Sequence, residues 1–99
     1  MALTQEQSQE LGAAIEHRRR TLAELIGELD PAAAARELEE LRGVDAARQR
    51  FEEGNYGTCI DCGQDIGYAR LRATPTAIRC ILCQTRHEKT LSGAAGSSL

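Results

Sequence analysis

In the first half of the chain, apolar residues recur three and four positions apart. Leu11, Ile15, Leu22, Leu25 and Leu29 follow heptad spacing, interrupted once where Arg18 takes a seam position. Thr4 followed three residues later by Gln7 is a capping-box signature, so the helix is expected to start there. Gly27 weakens the last turn, and Gly27-Glu28-Leu29-Asp30-Pro31 makes the stop. Asp30-Pro31 then reads as the start of a second helix, with Asp30 as N-cap and Pro31 in the first turn. Leu38, Leu41, Val44, Arg48 and Phe51 form its seam, and Gly54 suits the left-handed cap after Glu53. Gly43 inside this helix costs about 1 kcal/mol relative to Ala and marks a bend or a close approach. Two helices of about 22–25 residues at about 1.5 Å per residue span roughly 33–37 Å. A connection this short favours antiparallel neighbours. Residues 1–53 are therefore predicted to form an antiparallel coiled-coil hairpin, a projecting arm with its tip near 27–35. The rival is a coiled coil between chains; a monomer is expected, and sedimentation separates the two.

Beyond Gly54 the periodicity stops. Gly54, Gly57, Gly63 and Gly67 punctuate a segment suited to tight turns, and a further helix is expected from about Ile81 to Leu91. Residues 54–91 read as one small module with a C-terminal helix. The tail 92–99, rich in Ser, Gly and Ala, is expected to be disordered. The fold class is mainly α.

Composition sharpens this picture. Aromatics make up 3% of the 99 residues and Trp is absent, so Ala, Leu and Ile must supply nearly all the packing. A chain of this size usually needs a metal, disulfides or oligomerisation to hold a core. The formal net charge is −3, with 12 basic and 15 acidic residues, which argues against a dedicated nucleic-acid clamp. The acidity lies in residues 1–56, which carry 7 basic and 12 acidic side chains. The N-terminus turns polar at once, so no signal peptide is read, and no apolar run suits a membrane span. A cytoplasmic setting is expected, where paired Cys-x-x-Cys motifs read as metal sites.

Cys59-Ile60-Asp61-Cys62 and Cys80-Ile81-Leu82-Cys83 are separated by 17 residues, within the spacing of four-cysteine zinc sites. Two thiolates three positions apart on a tight turn both reach a metal at about 2.3 Å, and a second pair closes the tetrahedron. Gly63 lets the first turn curl so that N–H groups face sulfur, while the second pair leads into a helix whose positive end favours thiolates. Four thiols leave no open coordination position, so the metal is structural and one zinc is expected; iron is the chemical alternative. A thioredoxin-like role lacks its βαβ context. His87 is a weaker substitute ligand, and His17 beside Arg18, Arg19 and Arg20 reads as solvated. With no nucleophile–base set and no phosphate loop, no enzyme is expected.

Tyr56-Gly57-Thr58-Cys59-Ile60-Asp61-Cys62-Gly63, Ile66-Gly67, Arg70-Leu71, Ala73-Thr74-Pro75-Thr76-Ala77 and Cys80-Ile81-Leu82-Cys83 together closely resemble the DksA/TraR family of bacterial zinc-finger proteins. The likeness is close over roughly residues 44–88 and looser along the hairpin. It implies a regulator that binds RNA polymerase directly, sends its coiled-coil arm into the secondary channel and alters transcription initiation. In some members this happens together with ppGpp. The family's tip motif, Asp-x-x-Asp-x-Ala, maps onto Asp30, Ala33 and Ala35, so the second acidic position is Ala33 here. Gln84 stands where ppGpp-responsive members carry Lys, and the second helix looks several turns shorter. The resemblance therefore implies a diverged, short-armed member. The alternative is a zinc-stabilised adaptor or nucleic-acid-binding ribbon using Arg70, Arg72, Arg79 and Arg86.

Overall fold

Thr4 and Gln7 close the expected capping box: the Thr4 hydroxyl accepts from the Gln7 N–H at 3.1 Å, and the Gln7 side-chain Oε1 accepts from the Thr4 N–H at 3.0 Å. Two donors that a helix start leaves unpaired are thereby satisfied. The structure is a computed structural model that describes residues 2–96, with side chains described through Leu91. From the box, α1 runs over Gln5–Glu28, 24 residues and about 36 Å at about 1.5 Å per residue.

The second helix begins later than its sequence suggests. α2 spans Ala35–Glu53, and Ala34, which makes no side-chain cap, holds the N-cap position. Asp30 is not an N-cap. It opens a turn in which its carbonyl accepts from the Ala33 N–H at 2.8 Å and the Pro31 carbonyl from Ala34 at 3.3 Å. Asp followed by Pro suits the first two positions of such a turn as well as it suits a helix start. At the other end Gly54 takes φ +79°, and its N–H with that of Asn55 caps the last carbonyls.

α1 and α2 pack side by side as an antiparallel hairpin. Its seam is shorter than the heptad pattern promises. Ile15, Leu22, Val44 and Ala47 are buried together with Leu41 against them, but Leu25 and Leu38 remain 40% and 38% exposed. Arg18 and Arg48 do not enter the seam. They reach across it, Arg18 to Glu40 at 2.5 and 2.8 Å and Arg48 to Glu16 at 2.6 Å, while Arg19 pairs with Asp45 at 2.8 Å. An arginine at a seam position thus holds its fork at the edge of the seam, on a carboxylate of the facing helix. Gly43 has nothing within 4 Å of where a Cβ would sit, so it marks no close approach.

After Gly54 the chain makes a tight knuckle, a short helix α3 (Tyr68–Ala73) and then α4 (Ile81–Gly96). Among the described residues the only extended pairing is a single antiparallel bridge between Thr58 and Asp65. α4 runs past Leu91 to Gly96, into the stretch whose composition reads as a disordered tail. Residues 97–99 lie outside the described residues. A second apolar cluster joins the knuckle to the arm, with Leu11 of α1 buried among Cys59, Ile66, Leu71 and Cys83. No described helix is long and apolar enough to cross a membrane.

Candidate metal centre

The two cysteine pairs are presented by different backbone devices. Residues 57–66 form a small hairpin-like knuckle, in which the Cys59 N–H donates to Gln64 O at 2.8 Å and Ile66 N–H to Gly57 O at 2.8 Å. Gly63 at φ +75° closes the turn after Cys62, with its N–H on Cys59 O at 3.1 Å. Cys80 stands immediately before α4, and the Cys83 N–H, one turn in, points at Cys80 Sγ at 3.4 Å. Two cross-links bring the pairs into register. Ile60 N–H donates to Ile78 O at 2.9 Å, and Arg79 Nε donates to the Asp61 carboxylate at 2.8 Å. Arg70 Nε in turn donates to Arg79 O at 2.9 Å.

The outcome is a cluster in which the ligand atoms of Cys59, Cys62, Cys80 and Cys83 all lie within 4.8 Å of one another. Cys62 Sγ and Cys80 Sγ are 3.9 Å apart. A tetrahedron with metal–sulfur bonds of about 2.3 Å has edges of about 3.8 Å, so the sulfurs stand at zinc-ligand separations. Cys59 and Cys83 are buried and Cys62 is exposed, which places the cluster at the edge of the base and not in a cleft.

The electrostatics point the same way. Burial pushes the Cys59 thiol up, but the backbone N–H groups of Cys62, Cys80 and Asp61 outweigh it and bring that thiol down to about 6. Cys83 moves oppositely, pushed up to about 12 by its contact with Cys80, by burial and by the neighbouring thiols. Cys62 is also raised: the Gln64 N–H favours its thiolate, but burial and the adjacent sulfurs prevail. The site thus prepares one thiolate and resists the next, as four sulfurs this close must unless a dication neutralises them. Zinc fits this donor set, and with four thiolates it has no vacancy for substrate, so its contribution is folding energy.

Around the cluster lie residues that spacing alone did not reveal. Tyr68 of α3 shares its hydroxyl proton between the two Glu10 carboxylate oxygens at 2.7 and 2.8 Å, tying the base to α1. The phenol's pKa is raised by that contact. Arg50 donates from one nitrogen to Asn55 O at 3.1 Å and to Thr58 O, pinning the chain as it leaves α2. Leu71 is fully buried in the base. Its signal was weak, a lone Leu among Ala and Arg. Of the four arginines considered for nucleic acid, Arg70 and Arg79 are engaged inside the base, which leaves Arg72 and Arg86 exposed. His87 is not among the residues whose ligand atoms converge. At the far end of the arm, Asp30, Ala33 and Ala35 are all exposed on or beside the turn, while Ala34 between them is buried.

A helical arm seated on a four-cysteine zinc knuckle is the class of protein that this fold and site define. Residues 54–89 match the family described as the prokaryotic dksA/traR C4-type zinc finger. The RNA polymerase binding protein and transcriptional regulator Dks of Chlamydia trachomatis L2 is 30% identical at a TM-score of 0.69, over 91% of this chain and 96% of that one. The transcription factor DksA2 of Pseudomonas aeruginosa is 34% identical at a TM-score of 0.56, over 88% and 78%. In Caulobacter vibrioides the RNA polymerase-binding transcription factor DksA is 48% identical over 46 residues, which are 46% of this chain and 32% of that protein. The match to the factor of the same name from Escherichia coli K12 is 36% identical over 61 residues, 59% and 40% of the two chains. The matched segments thus span about a third to two fifths of the length of these curated relatives. The chain belongs to the DksA/TraR family, and the one structural zinc of its C4-type finger suits the four cysteines brought together here.

Proposed function

We propose that this chain is a regulator that binds bacterial RNA polymerase through its helical arm and modulates transcription initiation. In this reading Cys59, Cys62, Cys80 and Cys83 ligate zinc and brace the arm at its base. The observation that carries it is the likeness to the Chlamydia protein, which holds over 91% of this chain and 96% of that one and so includes arm and finger together. A finger alone would fit many roles; an arm of the same kind on the same base narrows them. The arm is directed into the polymerase's secondary channel, and Asp30 with Ala33 and Ala35 forms its contacting tip. Asp30 is exposed and makes no side-chain hydrogen bond among the described residues, so its carboxylate is available to a partner. With Ala33 in place of a second acid the tip carries less charge, and with Gln84 after the last cysteine a response to ppGpp is not expected. The role is non-enzymatic and cytoplasmic, where polymerase resides. Two of the four arginines of the nucleic-acid alternative are occupied within the base, which weakens it.

The test is co-purification of the zinc-loaded chain with core RNA polymerase, beside DNA binding over a salt series. Polymerase capture is expected, with Asp30→Ala retaining capture but altering the effect on initiation. Absence of capture together with steeply salt-dependent DNA binding overturns the reading.

A further inference from the structure

Two short motifs far apart in the sequence, Tyr56-Gly57 and Thr74-Pro75-Thr76, meet in the fold. The Tyr56 ring stacks on Phe51, the arm's single aromatic residue, with centroids 3.9 Å apart and planes 14° from parallel. Its hydroxyl donates to the Pro75 carbonyl at 2.7 Å, 19 residues along the chain. Tyr56 and Phe51 both pack against the base cluster and the arm cluster, so this stack is where the two cores join.

The segment held by that hydroxyl has few other anchors. Its backbone bonds, Thr74 N–H to Arg70 O and Ala77 N–H to Thr74 O, are local. Residues 73–76 overhang the arm without closing on it: a cavity of about 420 Å3 lies between them and Ile15, Arg18, Glu40 and Val44. Burial pushes the phenol up to about 12 against the pull of Arg50, so Tyr56 stays protonated and remains a donor at any physiological pH. Tyr68–Glu10 and the buried Leu11 hold the base to α1 on one side; the stack on Phe51, the bond to Pro75 and the gap beyond them make Tyr56 the contact that governs the inclination on the side of residues 73–76.

We infer that Tyr56 is a positioning residue: by stacking on Phe51 and bonding Pro75 it sets the orientation of the zinc-bearing base relative to the arm. Its consequence for polymerase rests on the function proposed above, since an arm must enter while its base meets the outside.

Tyr56→Phe keeps the ring and removes only the hydroxyl. Zinc content should stay at one per chain and helicity should be unchanged. Amide exchange at Ala77, whose N–H bonds Thr74 O at 3.0 Å, should quicken about 5–10-fold, the loss of one hydrogen bond of ordinary strength. Residual dipolar couplings on the zinc-loaded chain should fit arm and base each as unchanged bodies but with an altered mutual orientation, a readout that general loosening does not produce. Phe51→Leu, which keeps the hydroxyl and weakens the stack, should turn the base in the same assay. Unchanged exchange at Ala77, or unchanged orientation in both variants, overturns the inference. Polymerase affinity is read in parallel. If orientation shifts but even wild type fails to bind polymerase, the positioning role stands and the proposed function falls. If wild type binds and the reoriented variants bind equally well, the functional half of the inference is refuted.

Discussion

Leu22 and Leu25, three residues apart, both take seam positions in the heptad pattern of α1, yet one is 1% exposed and the other 40%. Truncating each in turn therefore measures where the arm's core ends. Leu22 is buried with Ile15, Val44 and Ala47. Leu→Ala at a buried site costs about 2–5 kcal/mol, the transfer of the lost atoms plus the cavity they leave. A seam between only two helices is open at its sides and relaxes more than a closed core, which puts Leu22→Ala near the low end, about 2–3 kcal/mol. Leu25 has already given up much of its burial, and Leu25→Ala should cost about 1 kcal/mol. In a domain this small each kcal/mol moves the melting temperature by roughly 4–8 °C. Followed by far-ultraviolet circular dichroism in excess zinc, Leu22→Ala should lower it by about 10–20 °C and Leu25→Ala by about 5 °C. Equal losses, or a Leu22→Ala loss under about 1 kcal/mol, would refute the claim that the seam closes at Leu22.

Other consequences are as direct. The pair Arg18–Glu40 is exposed on both sides, so a double-mutant cycle should give a coupling of only about 0.2–1 kcal/mol, shrinking with added salt. Because hydrogen bonding to Arg18 holds the Glu40 carboxyl below its ordinary 4.5, that coupling should be full above pH 4.5 and vanish as the pH falls through the lowered value; a coupling that grows on acidification contradicts it. Gly57→Ala should destabilise by about 1–3 kcal/mol in urea titrations, since φ is +88° and the new Cβ would meet Leu3 at 3.3 Å, whereas Gly43→Ala, with open space, should stabilise α2 by about 1 kcal/mol. Chelation of zinc should abolish exchange protection at Cys59, Gly63 and Ile66 while the amides of 41–47 keep much of theirs, because the arm cluster contains no cysteine. Equal loss in both regions would show one indivisible core.

The residue pattern was most readable where local chemistry acts alone. The Thr4–Gln7 box and the Gly54 cap depend on a few adjacent residues, and both stand where their spacing puts them. The start of α2 was not readable, since Asp-Pro serves a turn and a helix start equally and only the packed tip decides between them. Leu25 and Leu38 look like core in periodicity, but their burial depends on how far the two helices stay together, a property of the pair. Ala34 and Ala47 are buried without any apolar signal to distinguish them from the exposed alanines beside them. α3 is six residues long and too short to establish a period. In the metal centre, Cys-x-x-Cys spacing nominated all four sulfurs, whereas Asp61–Arg79, Tyr68–Glu10 and Tyr56–Pro75 arise from tertiary meetings 18, 58 and 19 residues apart. Such pairs carry no periodicity and become visible only once the chain is folded.

The central claim is that the arm, steadied by its zinc base, is the part that meets polymerase. A photo-crosslinking side chain placed at the exposed tip position Ala33, with a control at the exposed base-proximal position Glu53, tests it most directly in the zinc-loaded chain mixed with core RNA polymerase. Tip crosslinks to the subunits lining the polymerase's secondary channel are expected, and they should be lost on chelation of zinc. Crosslinks from Glu53 with none from Ala33, or none from either, would contradict it.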